Sequence, residues 1–101
     1  MNRNAARAMA ARSEAAARVL KQLAHPRRLR LLCSLAEGDK TVGELERLCG
    51  VSQSQLSQFL GRLRGQGLVA ARRKGRFVAY RIAEPRLRRL MRALHAIFCA
   101  G

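Results

Sequence analysis

Aromatic and acidic side chains are what this 101-residue chain is short of. It holds no tryptophan, one tyrosine and three phenylalanines, so its core must be built from Leu, Ala, Val and Ile. Six Asp and Glu stand against 21 Lys and Arg, a formal net charge of +15, and no acidic residue lies between Glu46 and Glu84. Such an excess calls for a polyanionic partner, of which nucleic acid is the commonest; an anionic membrane surface or charge for solubility alone are weaker explanations. No apolar run approaches the ~20 residues of a membrane span, so no membrane partner is expected. Cysteine is limited to Cys33, Cys49 and Cys99, with no CxxC spacing. An odd count without a secretory pattern points to free thiols in a reducing cytosol. Carboxylate pairs, phosphate-cradling Gly loops and nucleophile–base constellations are also missing, so neither an enzyme nor a cofactor is expected.

What is present is 49% apolar residues, too many for a disordered basic tail, in a length that suits one small domain over 1–101. The opening "MNRNAARAMAARSEAAARVL" has the Arg-rich, acid-poor look of a transit peptide. Val19, Leu20 and Leu23 continue its pattern without a break, however, which favours a long amphipathic helix from Asn4 to Leu23. Pro26 suits the first turn of a second helix running to about Leu35, with Leu29, Leu32, Cys33 and Ala36 on its buried face and Gly38 as its C-cap. Thr41 and Glu44 form a capping box for a third helix, Val42 to Leu48. Gly50 stops it and Ser52 caps a fourth, which Gly65 and Gly67 end. Two strands, "LVAAR" and "RFVAYRI", follow around the turn "RKGR", the second with the alternation of a half-buried strand. Pro85 restarts helix, and Leu87, Leu90, Met91, Leu94, Ile97 and Phe98 give an apolar seam to the C-terminus.

The fourth helix is the informative one. Leu56, Phe59, Leu60 and Leu63 form its apolar stripe, while Ser54 and Gln58 lie opposite with Ser57 and Gln55 on the flanks. A very basic protein thus keeps one helix face uncharged but rich in hydrogen-bonding groups. A short helix, a tight Gly turn and a second helix with an apolar back and polar front make a helix-turn-helix, whose second helix enters a major groove of DNA. Ser and Gln carry both donors and acceptors, and Gln can pair bidentately with adenine. Gln53, Ser54, Ser57 and Gln58 are therefore the candidate base readers. Arg62, Arg64, Arg72, Arg73, Lys74 and Arg76 surround them as candidate phosphate contacts, which separates positioning from specificity. The partner expected is double-stranded operator DNA. A solvated polar face, or an architectural DNA-coating protein with inert cysteines, would be the plainer alternatives.

The stretch "LAHPRRLRLLCSLAEGDKTVGELERLCGVSQSQLSQFLGRLRGQGLVAARRKGRFVAYRI" closely resembles the winged-helix repressors of the ArsR/SmtB family, and the likeness continues through the last helix. The resemblance implies a mainly α fold with a small β-hairpin: helix, helix, helix–turn–helix, β-ribbon, helix. It implies a bacterial, cytoplasmic homodimer joined through the first and last helices, residues 1–23 and 85–101, on an operator of two half-sites. Metal-sensing members carry CxC in the third helix or Asp and His pairs on the last. Here those stretches read "ELERLCG" and "EPRLRRLMRALHAIFCAG", so no metal site is expected. His95 fits a helix-surface or packing role and His25 a structural one; Cys49 reads as a small apolar residue at a helix end.

Cys33 and Cys99, in "LLCSLAEG" and "HAIFC", resemble the paired thiols of the sulfur-sensing BigR/SqrR branch of that family. That likeness implies that reactive sulfur species join the two cysteines by a disulfide or polysulfide bridge and so release DNA. A general peroxide or disulfide redox switch would use the same two residues without extra sulfur, and a metal held by unfamiliar ligands is a further alternative. On composition alone Cys33 would pass for an ordinary core residue. Nearby arginines and the helix-end position of Cys33 are features that lower a thiol pKa.

Overall fold

Each helix of the chain begins at a side chain able to accept from an exposed backbone N–H. The computed structural model describes residues 2–99. The elements run α1 (Arg3–Leu23), α2 (Pro26–Ala36), β1 (Lys40–Thr41), α3 (Val42–Cys49), α4 (Gln53–Gly65), β2 (Val69–Lys74), β3 (Phe77–Ile82) and α5 (Pro85–Phe98). Asn2 caps α1, accepting from the Ala5 N–H at 2.7 Å. His25 caps α2 through Nδ1, 3.2 Å from the Arg27 N–H, with Pro26 in the first turn. Thr41 and Glu44 form the expected capping box, and Gly50 ends α3 in the left-handed region at φ 62. Ser52 accepts from the Gln55 N–H at 3.2 Å to start α4, and Glu84 accepts from the Leu87 N–H at 2.9 Å to start α5. The C-cap of α2 is Glu37, one residue before the expected Gly38; the starts of α2, α3 and α5 and the end of α1 fall where expected, while the start of α1 and the ends of α2 and α3 differ by one residue, as fraying ends do.

The core is leucine-rich. Leu31, Leu32, Leu45, Leu56, Leu63, Ile82, Leu87 and Met91 are fully buried, and each such side chain stabilises the fold by roughly 1.5–3 kcal/mol relative to exposure. Helix α2 packs on α1, α3, α5 and β3. That central place corrects the narrow stripe expected for it. Leu31, Leu32 and Leu35 are buried, whereas Leu29, Cys33 and Ala36 are only partly covered, because a helix walled on several sides buries a wider arc than one face.

The expected hairpin is present, β2 and β3 pairing antiparallel from Val69↔Ile82 to Lys74↔Phe77 around Gly75 at φ 61. A third strand joins it: β1 lies on the far edge of β3, with Lys40↔Tyr80 and Thr41↔Ala79, giving the order β1-β3-β2. Alternation along β3 is less regular than expected. Ala79 is buried where α3 and β1 cover β3, while Val78 is exposed on the outer half of the ribbon.

Two helices carry apolar surface that nothing in the protomer covers. Residues 3–14 of α1 are exposed throughout, Met9 and Leu20 among the large exposed apolar side chains of that helix. At the end of α5, Ile97 is 70% and Phe98 78% exposed. Met1, Ala100 and Gly101, the outermost residues of the two segments expected to dimerise, lie outside the described residues. Among the described residues, no helix is long and apolar enough to cross a membrane.

Candidate nucleic-acid interface

The tight turn Gly50–Val51–Ser52 sets α4 against α3 with its leucines inward. Leu56, Leu60 and Leu63 are buried and Phe59 is half-buried; Gln53, Ser54, Ser57 and Gln58 are all exposed on the outward side. Gln55 departs from the group. It is half-buried, and its Oε1 accepts from Arg27 Nη1 at 2.9 Å. Behind it the Phe59 ring meets the His25 ring edge-on, centroids 5.3 Å apart, and the Arg28 guanidinium lies 5.5 Å from the Phe59 centroid. The start of α2 therefore braces the recognition helix by one hydrogen bond, one edge contact and one cation–π contact. Sequence reasoning assigned His25 a structural place but missed Arg27 and Arg28. The only signal was the run of cations after Pro26.

All six candidate phosphate contacts are exposed: Arg62 and Arg64 on the last turn of α4, and Arg72, Arg73, Lys74 and Arg76 on the ribbon and its turn. Because successive strand residues point to opposite faces, Arg72 and Arg73 present charge on both sides of the ribbon. Lys74 is not wholly free, since its Nζ lies 3.7 Å from Asp39 Oδ2 in a half-exposed pair.

The thiols occupy three different environments. Cys49 is 1% exposed at the end of α3, the apolar place expected of it. Cys33 is half-buried on α2, and Cys99 is exposed at the C-cap of α5, the helix that α2 packs against. Burial pushes the Cys33 thiol above the ordinary range, and the nearby charges of Cys99 and Glu37 add to the rise. Arginines are abundant in the sequence, but the charged groups that act on this sulfur are a thiol and a carboxylate, so the direction that sequence left open is upward. The same observation brings Cys33 and Cys99 into one electrostatic neighbourhood. Burial also raises Cys49, opposed by a hydrogen bond with Ser34 and by the Arg30 charge. His95 is half-buried on α5, and among the described residues no three His, Cys, Asp or Glu side chains gather as a metal-binding group would.

Comparison with known proteins gives the site its context. Residues 25–71, from the cap of α2 into β2, match the family described as bacterial regulatory protein, arsR family. The biofilm growth-associated repressor of Agrobacterium fabrum is 50% identical over 93 residues, covering 92% of this chain and 80% of that protein. The crystal structure of the transcriptional repressor BigR from Xylella fastidiosa superposes with a TM-score of 0.83 at 44% identity, covering all of both chains. A homodimeric winged helix-turn-helix domain from Mycobacterium bovis, described as a possible ArsR-family regulator, superposes with a TM-score of 0.73 at 37% identity over 88% of this chain and 82% of that one. With a braced recognition helix, a basic ribbon and these relatives, the chain belongs to the arsR family of bacterial regulatory proteins: it is a winged-helix, DNA-binding transcriptional regulator and not an enzyme.

Proposed function

We propose that this regulator is a cytoplasmic, homodimeric bacterial repressor that holds operator DNA while its thiols are reduced and lets go when reactive sulfur species join Cys33 to Cys99. What supports the sensing step is the placement of half-buried Cys33 on α2 near exposed Cys99 at the end of α5, the helix that α2 packs against, with the Cys99 charge reaching Cys33. Repression is supported by the names of the relatives at 44–50% identity. Pairing through residues 1–23 and 85–101 is supported by the uncovered apolar side chains of α1 and α5 and by the homodimeric relative. The whole of 1–101 then acts as one winged unit, with Gln53, Ser54, Ser57 and Gln58 at base edges. Arg62, Arg64, Arg72, Arg73, Lys74 and Arg76 lie along the phosphates, and recognition helices of a dimer contact DNA about 34–36 Å apart.

The chemistry balances with polysulfide as the oxidant. Exposed Cys99, as thiolate, attacks a sulfane sulfur and expels a shorter polysulfide, which keeps the bonding pair. Cys33 gives up its proton and attacks the sulfur next to the end of the chain now carried by Cys99, expelling hydrogen sulfide and closing the bridge. A direct S–S bond needs Cα atoms within about 7 Å, and inserted sulfur spans more. The bridge ties α2, which braces the recognition helix, to α5, which carries part of the dimer surface. A preference of ~1–3 kcal/mol for a changed spacing is enough to shift DNA affinity 5–150-fold.

The test is mass spectrometry with peptide mapping after polysulfide or hydrogen peroxide, in parallel with fluorescence anisotropy on an operator duplex. A Cys33–Cys99 link carrying extra sulfur only after polysulfide, with DNA released, is the expected result. A plain disulfide from either reagent would instead make the protein a general peroxide or disulfide redox switch. Absence of a link would make both thiols inert. Binding with strong salt dependence and no sequence preference would mark an architectural DNA-coating protein.

A further inference from the structure

Between the ribbon and the helix-turn-helix unit runs an open groove of about 530 Å³. Its walls include Thr41, Gly43 and Arg47 on the α3 side, Gln53 at the start of α4, and Arg76 and Phe77 on the ribbon. A cation stands on each side, and among the described residues neither Arg47 nor Arg76 is in a salt bridge. The nearby carboxylate is that of Glu44, whose charge reaches Arg47. Its Oε1 is committed to the capping box, accepting from the Thr41 N–H and Oγ1 at 3.0 Å each. The Arg47 guanidinium folds back over Gly43, where a Cβ would meet Nη1 at 3.7 Å. Phe77, 64% exposed, is a large apolar ring with nothing over it.

On B-DNA one sugar–phosphate strand separates a major groove from the minor groove beside it. With α4 in the major groove and the ribbon's cations on the phosphates beside it, a strand bordering that major groove passes between helix and ribbon, where this groove lies. The strand presents phosphate charge and apolar deoxyribose faces in alternation; the groove presents two guanidiniums and one bare aromatic ring. Resting on the DNA-binding mode proposed above, we propose that the groove seats the dividing strand. Arg47 and Arg76 hold its phosphates from opposite walls, and Phe77 packs on a deoxyribose. Arg47 and Phe77 thereby join the DNA contacts, and the ribbon's position on the phosphates becomes coupled to the register of α4.

The test uses a duplex selected by the wild-type protein from a random pool, with affinity read by anisotropy across a salt series. Arg47→Gln should weaken binding about fivefold or more and reduce the slope of log K against log salt by about 0.9, the share of one phosphate contact. Phe77→Ala should weaken binding with the slope unchanged, and hydroxyl-radical cleavage should rise on the strand between the two grooves in both variants. Arg47→Lys should retain the slope, and Arg3→Gln, far out on α1, serves as control. Both altered side chains are exposed, so melting should match wild type. Unchanged affinity and slope in Arg47→Gln and Phe77→Ala, while Arg73→Gln reduces the slope, would leave the groove empty and overturn the proposal alone. A loss of affinity in Arg47→Gln without a slope change would overturn the phosphate contact. Failure of the wild type to bind any duplex would instead overturn the underlying DNA-binding mode.

Discussion

A thiol responds to what immediately faces it, and the three cysteines should separate cleanly by reactivity. Cys99 is exposed, Cys33 half-buried and Cys49 sealed in the core. Iodoacetamide at pH 7.5 should modify Cys99 first, Cys33 about tenfold more slowly, and Cys49 only on unfolding, read by peptide mass mapping. Cys33 and Cys49 both have raised folded-state pKa values, chiefly through burial. The fold therefore favours the neutral thiols. That contribution is complete below the ordinary thiol pKa and is lost as pH rises through the raised values. The melting temperature should fall on the alkaline side of pH 8–9, less steeply in Cys49→Ala; an equal fall in both proteins would assign the alkaline loss elsewhere. At this scale the sequence was only partly legible. The polar face of α4 could be read from periodicity because all its members lie on one helix. The brace from Arg27 to Gln55 spans 28 residues and that from His25 to Phe59 spans 34, and no local pattern records which cation meets which partner. The proposed pairing of Cys33 with Cys99 rests on resemblance; spacing alone leaves Cys33 an ordinary core residue.

Among elements, the ribbon and α3 carry the testable features. Lys74 at the end of β2 pairs with Asp39, just before β1, so the ribbon is tethered to the edge of its own sheet by a half-exposed ion pair. Such pairs contribute little stability, ~0–1 kcal/mol, and salt screens them. Their effect on DNA binding can be larger, because a phosphate must compete with Asp39 for Lys74. Asp39→Asn should tighten operator binding a few-fold and steepen the salt slope by up to about one unit, measured by anisotropy. A slope that does not move would place Lys74 away from the phosphates. Thr41 caps α3 at the point where the chain leaves β1, and Thr41→Ala should cost about 0.5–2 kcal/mol in urea unfolding. Its partner Glu44, like Glu84 at α5, has its pKa lowered by hydrogen bonds from Thr41 and from Arg86 with Leu87, respectively. Both caps therefore stabilise above the ordinary carboxylate range and lose that contribution as pH falls through the lowered values. The helices and their caps were legible because capping residues and glycine stops are local signals. β1 was not, because two residues carry no periodicity and their strand character comes entirely from pairing with Tyr80 and Ala79.

For the whole molecule, the question is what covers α1. A 21-residue helix whose residues 3–14 are exposed throughout should be marginal in water, since most helical stability in proteins comes from packing an apolar face. Alanine-rich composition helps, but Met9 and Leu20 on α1 and Ile97 and Phe98 on α5 leave apolar surface that a second copy would bury. A dimer also explains why a chain of 11.2 kDa can act as a specific regulator. One recognition helix reads a handful of bases, whereas two joined rigidly make the second contact effectively intramolecular and raise affinity by ~10²–10⁴. Leu20→Glu tests both points, because Leu20 is half-exposed in the protomer and its replacement leaves the leucine core intact. Sedimentation velocity should show the wild type at twice the chain mass and the variant at or near the chain mass. The melting temperature should depend on protein concentration in the wild type only. Operator affinity should fall about a hundredfold in the variant while single half-site binding survives. A Leu20→Glu protein that still sediments as a dimer would mean that α1 is covered by something other than α1 and α5 of a second copy, and a variant that is monomeric yet binds the full operator undiminished would mean that one recognition helix suffices.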